Sequence, residues 1–259
     1  MSTATFEPAT LDISGTPRIP LSRLVKVEVR KLADTRASRW LLIGIAAITA
    51  LIVVLFFINA DASDRTFINF MGATAAPQGF LLPVLGILLV TSEWSQRTAL
   101  VTFTLMPVRG RVLLAKVIAA LIAGFVAIVL AMGIASLATL AGGGDNAWAN
   151  IGVDDVAKFC LVQMTGVMQG LAFGLLFLSS AAAIVTYFVL PTAFSIVASL
   201  WGALKDAAPW VDLGTSQMPL FSANNLTGEQ WWQVVTSSLI WVVLPFVIGL
   251  VRVLRAEVK

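Results

Sequence analysis

Glu28 and Glu93 are the two carboxylates whose surroundings demand chemistry. Glu28 falls near the centre of a helical face otherwise made by Leu21, Leu24, Val25 and Leu32, with Arg23, Lys26 and Arg30 opposite. Glu93 closes the uncharged stretch from Thr66 to Ser92. A carboxylate against an apolar layer needs a cation, and Lys31 is within reach of Glu28 at i,i+3. Other reactive sets are missing. With no His and one Cys, Cys160, metal clusters built on imidazole or thiolate and intrachain disulfides are excluded. No Gly-x-x-x-x-Gly-Lys-Ser/Thr loop occurs, and Gly142-Gly143-Gly144 lacks the following Lys, so this chain carries no phosphate loop for ATP. The uncharged stretches hold no paired acids and no nucleophile beside a base, which weakens an intramembrane enzyme. Nor do they hold the ionisable groups that couple carriers to ions.

The elements that must position Glu28 and Glu93 are membrane crossings. Cutting at the charges leaves Trp40 to Ala60, Thr66 to Ser92, Val117 to Gly144, Phe159 to Leu204 and Gln230 to Val251. A helix rising about 1.5 Å per residue crosses an about 30 Å hydrocarbon core in roughly 20 residues. The fourth window therefore holds two crossings, split over Ser179 to Ala183 into helices near 159–178 and 184–203, and the count is six. Composition agrees, since 12% of residues are charged and 58% apolar, against roughly 25% charged in soluble domains. The expected fold is an all-α integral membrane protein. An amphipathic interfacial helix over 21–38, with Ser22 as candidate N-cap, precedes a six-helix transmembrane domain over 39–259. Residues 1–20, rich in Thr, Ser and Pro and without the features of a signal peptide, read as a disordered cytoplasmic tail.

Six crossings put both termini on one side, and basic residues indicate that it is the cytoplasm. Fourteen Lys and Arg lie before Trp40, between Glu93 and Lys116, or after Val251, whereas the opposite loops hold Arg65, Lys158 and Lys205. Trp40, Trp94, Trp201, Trp231 and Trp232 fall at span ends, where an indole prefers the headgroup level. The basic balance thus reflects orientation and the lipid bilayer as a partner, and not nucleic acid.

Within the spans, amides and hydroxyls such as Gln78, Gln163, Gln169 and Thr192 can join helices or meet a substrate. Gly166, Gly170 and Gly174 form a stripe at spacing four that lets another backbone approach, either in this chain or in a second copy. Pro77 and Pro83 predict a kinked second crossing. Between Thr91 and Lys116, the alternation of Thr102, Phe103, Thr104 and Leu105 suits a strand as well as a short helix.

Glu93, Thr98, Leu105, Pro107, Arg111 and Lys116 resemble the E, GT, L, P, R, K signature of type-2 ATP-binding-cassette exporter permeases. Arg97 stands where that family often has Gly. The basic helix with Glu28 and Lys31, the six crossings and the cytoplasmic termini are similar too, so the likeness spans 21–259. It implies a plasma-membrane half-transporter, bacterial in type, with no cofactor of its own. ATP and Mg would be bound by separate ABC ATPase subunits docking on the 91–116 segment through Glu93, Arg97, Thr98, Pro107, Arg111 and Lys116. A second copy or a related permease chain would complete the path. The uncharged helices favour amphipathic or hydrophobic cargo such as a drug, peptide or lipid. A membrane sensor or assembly partner that transports nothing is the alternative.

Overall fold

The computed structural model describes residues 19–144, 146–149, 151–221 and 225–256. The tail expected over 1–20 lies outside them except for Ile19 and Pro20. Among the described residues, regular structure is helical only. Helix α1 runs Leu21–Asp34, and extended Thr35 separates it from α2, Arg36–Asn59. The amphipathic helix therefore ends four residues sooner than expected. Pro20 precedes it with φ −65° and no side chain caps it, so Ser22 lies inside the first turn and is not the N-cap.

Then come α3 (Phe67–Ser95), α4 (Ala99–Leu105), α5 (Arg109–Gly142), α6 (Val153–Phe177) and α7 (Ser180–Leu200). Short helices α8 (Gly202–Val211) and α9 (Leu213–Gln217) lead to α10 (Gly228–Ser238), which passes through a π-helical turn at Leu239–Val243 into α11 (Leu244–Arg255). That widened turn adjoins Pro245, which has no N–H to offer the carbonyl of Trp241. Six helices are long and apolar enough to cross a membrane: α2, α3, α5, α6, α7 and the joined α10–α11. The chain is a membrane-embedded, multi-pass protein.

Other boundaries differ from expectation as well. Leu178, at φ 54°, ends α6, and α7 starts at Ser180, so the turn is Leu178-Ser179, with Ala181 to Ala183 already helical. Alanine favours helix, and Ala183 is fully buried there. Lys158 is not in a loop: α6 begins at Val153, and Lys158 is buried in its second turn beside Asp154 (3.1 Å) and Asp155 (3.6 Å).

Large apolar residues lie both inside, as Phe70, Leu82 and Leu171 do, and on the outer surface. Along α5 most buried positions are small (Ala115, Ala119, Ala120, Gly124, Ala127, Ala131, Ala135), beside the larger Val112, Leu113 and Ile128, while Leu114, Phe125, Leu130 and Leu137 face outward. In hydrocarbon, large apolar side chains gain nothing by turning inward, and close backbone approach is what holds helices together.

The central pair is α3 and α6. A methyl group at Gly170 would lie 2.1 Å from the Pro83 carbonyl oxygen, and one at Gly86 2.7 Å from that of Val167. The stripe Gly166, Gly170, Gly174 thus serves α3 of the same chain. Gly249 repeats the device, bringing α11 onto Leu175 of α6. Pro83 leaves the Gly79 carbonyl without its helical donor, and the Tyr187 hydroxyl of α7 donates to it at 3.1 Å. A buried amide relay adds to this: Gln163 donates to Gln78 (3.1 Å), which donates to the Ala127 carbonyl (2.9 Å), linking α6, α3 and α5.

Candidate functional site: a buried charge cluster at the α3–α4 elbow

Four ionisable residues from three helices converge where α3 ends. Glu28 of α1 accepts from Lys31 at 2.7 Å and, through its other oxygen, from Lys116 of α5 at 2.7 Å. Glu93 of α3 accepts from Lys31 at 2.9 Å and lies 3.3 Å from the Lys116 ammonium. Lys116 also donates to the Leu89 carbonyl at 3.2 Å. Glu28, Glu93 and Lys116 are buried, and Lys31 keeps an edge in solvent, its side chain 38% exposed. Two carboxylates and two ammonium groups sum to zero, the condition under which buried charge is tolerated.

Burial alone pulls the Lys31 ammonium down. The hydrogen bond and charge of Glu28, with the charge and hydrogen bond of Glu93, outweigh it and hold Lys31 above its ordinary value of 10.5.

The elbow hangs from this cluster. Trp94 through Thr98 make a Schellman close to α3: Thr98 N–H donates to the Glu93 carbonyl (2.9 Å) and Arg97 N–H to that of Trp94 (3.3 Å). Arg97 takes the left-handed position, φ 56°, which favours Gly. Thr98 opens α4, a helix and not a strand, whose Thr102 hydroxyl donates to Glu93 at 3.2 Å. Pro107 follows the end of α4 and precedes α5. On the inner side of α4, Phe103 is buried, with Trp94 at 6.3 Å between ring centroids and the Arg109 guanidinium at 5.1 Å. Its other side and the exit loop expose Leu100, Val101, Leu105 and Val108.

Of the residues singled out in the sequence, Glu28, Lys31, Glu93 and Lys116 are brought together, and Arg97 and Thr98 shape the turn beside them. Arg111 goes elsewhere, donating to the Ile19 carbonyl at 2.7 Å, next to the start of α1. Arg109 and Thr102 carry contacts that sequence reasoning gave them no part in. Arg109 donates to the carbonyls of Val253 (2.9 Å) and Ala256 (2.6 Å), closing the end of α11; its signal was a base at the start of a helix, which is common. Among the described residues, no group of three His, Cys, Asp or Glu stands together to hold a metal ion.

A scan against models of known protein families and a search of curated proteins found no match to this chain.

Proposed function

We propose that this chain is the membrane subunit of an ATP-driven exporter of the type-2 ATP-binding-cassette class. In this reading its termini and the α3–α4 elbow are cytoplasmic, and α1 lies in the headgroup layer. The elbow docks a separate ATPase chain that binds ATP and Mg, and two membrane chains enclose the path in a plasma membrane. The observation that carries the reading is the cluster of Glu28, Lys31, Glu93 and Lys116, which ties three helices to one point and suspends α4 from it through Thr102. Force applied to α4 then reaches α1, α3 and α5 together.

Three further features support it. The solvent side of α4 is apolar at Leu100, Val101 and Leu105, as a surface awaiting a partner is. Arg97 occupies the left-handed position at which the resembled signature has Gly. Basic residues concentrate on the elbow side. The cargo is amphipathic or hydrophobic, because no carboxylate or base lies inside the spans away from their ends.

The test is purification of the tagged chain from its native cell in mild detergent, with mass spectrometry of what accompanies it and an ATPase assay. Recovery of a stoichiometric ATPase and two membrane chains is the expected result. A chain that purifies alone without ATP turnover overturns the reading and favours a sensor or scaffold.

A further inference from the structure

The segment between α7 and α10 turns back into the bundle. The Val211 carbonyl, at the end of α8, accepts from the Trp241 indole at 2.6 Å, midway along the α10–α11 crossing, and Ser216 of α9 shares a hydrogen bond of 2.6 Å with Ser237. A pocket of about 310 Å³ lies beside the start of α9, walled by the middles of α3, α6 and α7 at Phe80, Gln163, Gln169, Tyr187 and Phe188. Asp212, the N-cap of α9, also lines it. That residue belongs to no crossing, yet the fold carries its carboxylate to mid-bundle.

Asp212 is 4% exposed, and its Oδ2 accepts from the Thr215 backbone N–H at 2.9 Å and from the Thr215 hydroxyl at 2.6 Å. Its Oδ1 has no partner among the described residues, and neither has the side-chain amide of Gln169, which is 5% exposed. The partnerless side-chain atoms sealed from open space there belong to Thr49 and Gln217, so Asp212 Oδ1 and the Gln169 amide face open space, and the pocket is the space they share. No Lys or Arg lines it, and the Lys158 ammonium is taken by Asp154 and Asp155. The lining hydroxyls and indole are spent inside the protein: Tyr187 on Gly79, Thr192 on Phe188 and Trp241 on Val211. What remains is a carboxylate oxygen, an amide and aromatic faces, with Phe80 stacked on Phe188 at 5.9 Å and Tyr187 edge-on to Phe188 at 5.0 Å. A carboxylate at mid-bundle without a counter-charge calls for a cation, and aromatic faces attract one.

We infer that this pocket binds an organic ammonium ion, its cationic nitrogen against Asp212 and Gln169 and its apolar or aromatic body along Phe80 and Phe188. Phe80 is exposed on the outer surface of the bundle, so the ligand enters from the bilayer. A hard metal ion needs a shell of several oxygens, which a wall of aromatic rings does not supply. An anionic ligand is excluded, because its charge would face that of Asp212. Binding here needs no ATPase, so it stands or falls separately from the exporter reading.

The test uses the full chain in phosphatidylcholine nanodiscs at neutral pH, photolabelled with a dimethylbenzylammonium ion carrying a ring diazirine and with its uncharged twin, in which carbon replaces the nitrogen. Peptide mapping reads where each attaches. The cation is expected to label α3 near Phe80 or α7 near Phe188. Asp212→Asn should weaken that labelling about 10- to 100-fold, the range for one hydrogen bond to a charged group, and leave the twin's labelling unchanged. Asparagine caps helices as well as aspartate does, so α9 is expected to keep its place. Phe188→Leu, on the outer wall, should weaken labelling by the cation about 2- to 5-fold and spare the twin. Absence of wall labelling by the cation overturns the inference. Wall labelling by both probes that Asp212→Asn leaves unchanged also overturns it and makes the pocket a slot for lipid tails. Should Asp212→Asn lose both probes alike, Phe188→Leu decides: selective loss of the cation sustains the inference, and no selective loss overturns it.

Discussion

Lys116 and Glu28, 88 positions apart in the chain, meet at 2.7 Å with both side chains almost wholly shielded from solvent. The contact fastens α1, the most polar of the long helices, onto α5, one of the most apolar. Glu93 and Lys31 complete the charge balance around it.

Removing Lys116 alone leaves two buried carboxylates sharing one half-exposed ammonium. Lys116→Met is therefore expected to cost about 3–5 kcal/mol, the range for breaking a buried pair. Lys31→Met should cost about 1 kcal/mol, since water reaches that end of the cluster and screens it. Thermal unfolding of the detergent-solubilised variants ranks them, and equal losses would refute the asymmetry.

The raised pKa of Lys31 makes the cluster sensitive to alkali. A group whose folded pKa lies above its unfolded value stabilises fully below the unfolded value, here about 10.5, and ceases to do so as pH climbs through the folded value. Hydrogen exchange of α1 amides, corrected for intrinsic rates, should thus be flat from about pH 8 to 10 and rise above that. Lys31→Arg, whose guanidinium stays charged past about pH 12, should delay the rise.

Gly170 and Gly44 offer a paired test of helix packing. Gly170→Ala drives a methyl group into the Pro83 carbonyl and is expected to lose about 1–3 kcal/mol or to fail to fold. Gly44→Ala meets nothing within 4 Å and should gain up to about 1 kcal/mol from helix propensity. Melting temperatures decide, and a harmless Gly170→Ala would mean that α3 and α6 lie farther apart.

Arg97 bears left-handed backbone strain that glycine would not. Arg97→Gly is expected to stabilise the elbow by about 1 kcal/mol. A drop in denaturant midpoint would instead assign the Arg97 side chain a contact worth more than the strain.

Glu93 carries the functional reading. Glu93→Ala should leave the protein inserted and the ATPase active while transport of cargo in reconstituted vesicles falls. Transport equal to wild type would remove Glu93 from coupling.

Much of this architecture is legible from charge spacing. Six helices long and apolar enough to cross a membrane overlap the uncharged windows, because a charge in hydrocarbon costs more than any local preference supplies, although α5 and α6 begin before their windows do. The Glu28–Lys31 contact was legible for a similar reason, being fixed by helix periodicity. Its closure by Glu93 and Lys116 was not, since residues 62 and 88 positions distant meet through the packing of α1, α3 and α5, which no local pattern encodes. The glycine stripe announced a close approach without naming its partner, which shape complementarity with Pro83 and Ile87 selects. In α4, alternation left strand and helix both open, because seven residues are too few to separate periods of two and 3.6. The Schellman turn, Phe103 packing and the Thr102 bond decide for helix. The place of Asp212 had no signature, because a carboxylate between two crossings reads as a loop residue until α9 is seen to turn back into the bundle.

The separation of Glu28 from Lys116 also bears on biosynthesis. While a ribosome adds about 5–20 residues per second, about 4–18 s pass between the appearance of one and of the other. Through that interval α1 has its own Lys31 alone to balance Glu28, because Lys116 is not yet part of the chain. The contact that closes the cluster is thus the last of its ion pairs to become possible as the chain is made.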